Sequence, residues 1–164
     1  MNLIFKNLEF FDFKEKDIQN IIKLEKNTSS LKFDKEFFKT LLVSKSVFGV
    51  IIKFNKFHIG HIISSVVLDE SEIIIISVLK NFQNKGIAKL LFYNFAKRVN
   101  LIGVKKIFLE VSMENFNAKR LYKFLGFTKI GQRKGYYKKN NRKIDAETLC
   151  VTPKKIIDIM NRVT

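Results

Sequence analysis

The chain has one cysteine, one proline, two histidines, no tryptophan, and 15 acidic against 31 basic residues in a length of 164. A single cysteine, Cys150, cannot close an internal disulfide, which fits a reducing compartment. The two histidines, His58 and His61, stand three apart in a run that reads as a strand, so they are expected on opposite faces, and no metal site is expected. No apolar run approaches the roughly 18 residues that a membrane helix needs. The start, Met1-Asn2-Leu3-Ile4-Phe5-Lys6, lacks the basic stretch followed by an apolar core that marks an export signal. The expectation is a cytoplasmic chain without membrane attachment.

The shortage of acid leaves a net charge of +16, which raises the question of a nucleic-acid partner. A general richness in Lys, Ile, Asn and Phe explains part of it as solvated surface, so nucleic acid is a possible partner but not the favoured one. One concentration stands out. Lys129, Arg133, Lys134, Lys138, Lys139, Arg142 and Lys143 fall in a stretch without an acidic residue. With 46% hydrophobic and 28% charged residues, the chain suits one cored domain over 1–164, with 153–164 as a tail, and a monomer is expected.

In chain order, a strand is expected near Leu3 to Phe5, then helices over about Lys14 to Lys26 and Asp34 to Lys45, the second capped by Asp34. A meander follows: Val47 to Phe54, a turn at Asn55-Lys56, Phe57 to Leu68, a turn at Asp69-Glu70-Ser71, and Glu72 to Val78. Ile87, Leu91, Phe95 and Val99 recur at helical spacing. Lys105 to Val111 alternates, with Ile107, Leu109 and Val111 on one face and Phe108 and Glu110 on the other. Asn115 to Leu125 reads as a helix with an Ala118, Leu121, Tyr122, Leu125 stripe, stopped by Gly126. Phe127 to Gly131 and Ile144 to Val151 form a long hairpin carrying the basic run and Tyr136-Tyr137 at its tip, and Lys154 to Thr164 forms one loose helix.

The pivot of the pattern is Gln83-Asn84-Lys85-Gly86-Ile87-Ala88, a turn between the strand ending at Val78 and the helix opening at Ile87. Such a loop aims backbone amides and the positive end of the helix dipole at one point, where an anion can sit. Gly86 and Ala88 keep bulk out of that point, and Gly86 can take backbone angles closed to other residues.

Gln83-x-x-Gly86-x-Ala88, Leu109-Glu110-Val111 and Asn115-x-x-Ala118-x-x-Leu121-Tyr122-x-x-x-Gly126-Phe127 together resemble the central half of the GCN5-related N-acetyltransferases (GNAT). Arg133 with Tyr136-Tyr137, Asp145-Ala146, and Val67-Leu68-Asp69-Glu70 make the chain most similar to the bacterial ribosomal-protein alanine N-acetyltransferases. The resemblance implies a mixed α/β fold of about seven mostly antiparallel strands with a central splayed parallel pair, and about four helices. It implies acetyl-CoA as cosubstrate and no metal. It also implies a peptide amino terminus as partner, the terminal alanine of a small-subunit ribosomal protein.

The resemblance assigns the pyrophosphate to Gln83, Asn84, Lys85, Gly86, Ile87 and Ala88, and the pantetheine arm to Ile76, Ser77 and Val78, with the Val78 amide at the thioester oxygen. Asn115 and Tyr122 lie two helical turns apart, about 10 Å along the axis, so that Asn115 holds the arm while Tyr122 meets the sulfur as proton donor. Glu110 falls at the position of the base, and a partly desolvated carboxylate suits that task. An α-amine, with a pKa near about 8 against about 10.4 for lysine, needs only a mild base. Tyr136 and Tyr137 wall the acceptor groove, and the cationic hairpin favours acidic positions after the first residue. Other readings stay open: Tyr122 as a core aromatic, Glu110 as an ion-paired surface carboxylate, the tyrosines as an RNA-stacking patch. At the level of the protein they correspond to a small-molecule amine acetyltransferase of the same fold, or a non-catalytic RNA- or ribosome-binding module.

Overall fold

A computed structural model describes residues 7–28, 34–43, 46–139 and 142–163. Among them seven strands form one sheet, flanked by five α-helices. In chain order these are β1 (Leu8–Asp12), α1 (Ile18–Thr28), α2 (Lys35–Val43), β2 (Val47–Phe54), β3 (Phe57–Val67), β4 (Glu70–Val78), α3 (Ile87–Leu101), β5 (Lys106–Ser112), α4 (Phe116–Phe124), β6 (Thr128–Lys139), β7 (Arg142–Val151) and α5 (Pro153–Asn161). The strand order is β1-β2-β3-β4-β5-β7-β6, antiparallel throughout except for β4 beside β5. No helix among the described residues is long and apolar enough to cross a membrane.

Alternation and helical period explain the layers. Ile107, Leu109 and Val111 of β5 and Ile52, Ile59 and Ile62 of β2 and β3 turn to one face, where they meet Leu91, Phe92, Phe95 and Val99 of α3 and Ile156 and Met160 of α5. Ile51, Ile63 and Ile75 turn to the other, under Ile18 and Ile21 of α1 and Phe38 of α2. Fully burying one such side chain contributes about 1.5–3 kcal/mol, so burial is the main force that holds both faces. Asp34 caps α2 as expected, its Oδ1 accepting from the Phe37 amide at 2.8 Å.

Four expectations need correction or qualification. The strand at Leu3 to Phe5 lies outside the described residues, and the first strand described is Leu8–Asp12, pairing with β2. The turn after β3 falls earlier than Asp69-Glu70-Ser71, so that β4 already begins at Glu70. The last helix is not loose. Thr152 caps it, Pro153 occupies its first turn, Ile156 and Met160 are buried against the main core, and Tyr93 on α3 donates to Asn161 Oδ1 at 2.6 Å.

The histidines are the fourth. The β2–β3 register slips between Ile52 and Lys53, which pair with Gly60 and His58, so Ile59 is an extra residue. A bulge of one residue reverses the alternation. His58 and His61 therefore share the face under α1, with His61 Nδ1 3.2 Å from His58 Nε2. Beyond them His61 Nε2 lies 3.0 Å from Glu25 Oε1 of α1, off the axis of a hydrogen bond, and both side chains are almost fully buried. Three titratable groups thus lie together where the end of α1 meets β3; no cluster of three or more potential metal ligands is present among the described residues.

Burial, then the neighbouring His61, hold His58 down at about 4, with Lys53 acting in the same direction. Below about 6.5 an unfolded chain takes up a proton that the folded His58 refuses until about 4. Its contribution is intact above pH 6.5 and is lost as pH falls through that window. We expect His58→Asn to reduce the loss of urea stability between pH 7 and pH 5 by roughly 1–2 kcal/mol. Parallel pH profiles for the two proteins would show that His58 does not resist protonation.

Candidate active site

β4 and β5 pair only at Glu70 with Lys106, Ser71 with Ile107, and Glu72 with Phe108. Beyond that they part. β3 still holds β4 up to Val78, and β7 holds β5 up to Ser112, so the two halves of the sheet open like a V. Leu79 N–H donates to Ile59 O at 2.8 Å, which fixes the alternation along β4. Ser77, opposite His61, turns its backbone groups toward β3, while Ile76 and Val78 turn theirs into the gap. The Val78 carbonyl there accepts from Gln83 Nε2 at 2.9 Å.

The loop that follows runs through one turn of 3₁₀ helix, Lys80–Phe82, to Gly86, the N-cap of α3. Asn84 and Gly86 both have positive φ, 57° and 81°. A Cβ on Gly86 would meet nothing within 4 Å, so its backbone angle rather than crowding requires glycine in the structure. Alternating backbone handedness ahead of a helix start gathers N–H groups into an anion cradle. Val78, Gln83, Asn84, Gly86, Ile87 and Ala88 line one wall of a groove of about 430 Å³, and Asn117, Ala118, Arg120, Leu121 and Phe124 of α4 line the other.

Three polar members of this groove carried no signal in the loop motif. Lys89, in the first turn of α3, places its ammonium 3.5 Å from the centre of the Phe124 ring. Arg120 reaches Asn117, and both face the groove from α4. Their signal was the basic and polar side of the α4 pattern, opposite its apolar stripe. Asn115 is used differently from Asn117: it is the N-cap of α4, its Oδ1 accepting from the Ala118 amide at 3.1 Å.

On the opposite face of β5, Glu110 stands in a cluster. Its side chain is 12% exposed, and its Oε1 accepts from Arg133 Nη1 of β6 at 2.8 Å. Glu110 is also the main reason the Tyr136 phenol is harder to ionise, with burial adding to the effect. Arg133 stacks on Tyr136, 4.2 Å from its centre, and Tyr136 packs edge-on against Tyr137. Tyr137 donates to the Glu110 backbone carbonyl at 3.2 Å. Glu72 of β4 acts electrostatically on both Arg133 and Tyr136. It was missed in the sequence because one acid at the start of an apolar strand looks like a solvated end.

This cluster exists because β6 loses register against β7 between Arg133 and Tyr137. Asp145 holds the irregular segment, accepting from Gly135 N and from Gln132 Nε2, each at 2.8 Å. Tyr122 lies behind the cluster on α4. It is buried, packed edge-to-face on Phe92, and burial raises its hydroxyl well above the ordinary tyrosine value, with Tyr137 adding to the effect. The phenol is therefore held protonated. Cys150 is half-buried, and burial pushes its thiol up, away from nucleophilic use.

Residues 15–127 match the acetyltransferase (GNAT) family. A ribosomal protein bS18-alanine N-acetyltransferase of Haemophilus influenzae is 37% identical over 81 residues, 49% of this chain and 55% of the relative. The chain thus spans about half the length of the curated relatives it matches. The ribosomal-protein-S18-alanine N-acetyltransferase from Escherichia coli has the same fold, with a TM-score of 0.84 and 22% identity over 88% of this chain and 93% of that one. Arabidopsis thaliana NAA60, crystallised with acetyl-CoA, gives 0.79 and 19% identity over 88% and 98%. The splayed β4–β5 pair, the cradle before α3 and a family match over more than half the sequence lead to one conclusion: the chain belongs to the GNAT family of acetyltransferases.

Proposed function

We propose that the protein transfers acetyl from acetyl-CoA to a peptide α-amine, the terminal alanine of a small-subunit ribosomal protein, as a cytoplasmic monomer. The observation that carries this reading is the pairing of a cation-lined groove on one side of the β4–β5 gap with a carboxylate cluster on the other. A long anionic carrier fits the first and an ammonium the second. The named relatives, which act on the alanine of ribosomal protein bS18, supply the acceptor class.

Transfer takes place by direct attack with both substrates bound. The amides from Gln83 to Ala88, with Lys89 and Arg120, receive the pyrophosphate. Ile76 and Val78 hold the pantetheine arm, whereas Ser77, expected beside them, spends its backbone groups on β3, and the Asn115 carboxamide nitrogen steadies the arm from the start of α4. Glu110 takes a proton from the acceptor ammonium, directly or through a water. The amine nitrogen then attacks the thioester carbon, and the Val78 amide hydrogen-bonds the oxygen on which negative charge collects. As the C–S bond breaks, Tyr122 gives its proton to the sulfur, and the second proton shed by the attacking nitrogen passes through water to restore the phenol. Tyr136 and Tyr137 shape the acceptor wall.

Gly86→Glu places a carboxylate in the cradle and forces a side chain into a left-handed backbone conformation, whereas Gly86→Ala brings the backbone strain alone. Both should lose about 1–2 kcal/mol of stability. Calorimetry should show acetyl-CoA binding abolished only in Gly86→Glu, and equal affinities in the two variants would remove the loop from the site. Glu110→Gln should slow turnover by about 10²–10⁴ without a matching loss of acetyl-CoA affinity. Mass spectrometry of alanine-starting peptides, polyamines and acceptor-free controls tests the acceptor: acetylation of polyamines in preference to peptides would replace the peptide reading by the small-molecule one.

A further inference from the structure

Without an acceptor, Glu110 is already engaged. Its carboxylate holds the Arg133 guanidinium at 2.8 Å through Oε1, and little of the side chain is open to solvent. An ammonium that takes the Oε1 position has to take the place of Arg133. Arg133 is built to leave. Its side chain is 57% exposed, it projects from the irregular segment of β6, and it rests on the face of Tyr136, along which a guanidinium can slide without losing the stacking.

Exchange of guanidinium for ammonium keeps one cation on Glu110, so the charge of the carboxylate stays balanced. The displaced guanidinium then needs a carboxylate of its own. Glu72 is the nearest protein candidate shown by the electrostatics of the cluster, and it already acts on Tyr136 as well. An extended peptide advances about 3.5 Å per residue, so an acceptor whose amine sits at Glu110 carries its second side chain past the place where Arg133 is stacked. We infer that Arg133 is a displaceable counter-ion of Glu110 that, once exchanged for the acceptor amine, pairs with an acidic second residue of the acceptor and so selects for it. This inference rests on the peptide α-amine reading above. It locates in one side chain a preference that the cationic hairpin carries only diffusely.

The test is the ratio of kcat/KM for otherwise identical peptides beginning Ala-Glu and Ala-Gln, with Ala-Lys as a third arm. A charge-assisted, forked pair at a partly shielded position should favour Ala-Glu by about tenfold or more in the wild type. In Arg133→Gln the ratio should collapse to within about twofold of unity, Arg133→Lys should keep an intermediate ratio, and Lys134→Gln should keep most of it. Because the readout is a ratio within one preparation, partial unfolding of a variant leaves it unchanged. A wild-type ratio near unity, or a wild-type ratio surviving in Arg133→Gln, would overturn the inference alone. Failure to acetylate any peptide while polyamines are acetylated would overturn the acceptor reading and the inference with it.

Discussion

The parting of β4 from β5 after three paired residues is the constraint on which the rest depends. Each strand is anchored on its outer side along its length, β4 by β3 and β5 by β7, so neither can close the gap by sliding. Backbone groups inside a protein are almost always paired, and those of Ile76 and Val78 have no strand to pair with. Gln83 satisfies one of them, the Val78 carbonyl. The opening therefore leaves polar backbone facing the gap, beside the loop before α3 whose amides we propose as the anion cradle.

The gap also separates two electrostatic environments. One side is lined by Lys89, Arg120 and the start of α3, suited to phosphate. On the other, in a chain of net charge +16, Glu72 and Glu110 gather at one spot with Arg133 between them. Acids placed together on a cationic protein draw an ammonium to a position where the surrounding field alone would repel it. The general basicity of the surface thus speaks less about partners than this local exception does.

Much of this was legible in the sequence. Helical period located α1 to α4, alternation turned Glu110 away from Leu109 and Val111, and the turn before Ile87 marked the start of α3. What escaped notice depends on partners distant in the chain. The extra residue at Ile59 reverses which face His58 takes, and no local pattern distinguishes a bulged strand from a regular one. α5 looked like a tail because nothing near it in sequence shows that Ile156 and Met160 fill the core beside α3. Asn115 and Asn117 are alike as residue types, and only the start of α4 decides that the first caps the helix while the second faces the groove. Arg133 and Glu110 lie 23 positions apart and meet only because β6 breaks register.

Amide hydrogen exchange, resolved by residue in the presence and absence of acetyl-CoA, tests the central claim most directly. If the gap receives the pantetheine arm, the amides of Ile76 and Val78 gain protection on binding, together with those of Gly86, Ile87 and Ala88. The Ser77 amide, already turned toward β3, changes little. Protection spread evenly along β4, or confined to residues away from the gap, would contradict the account.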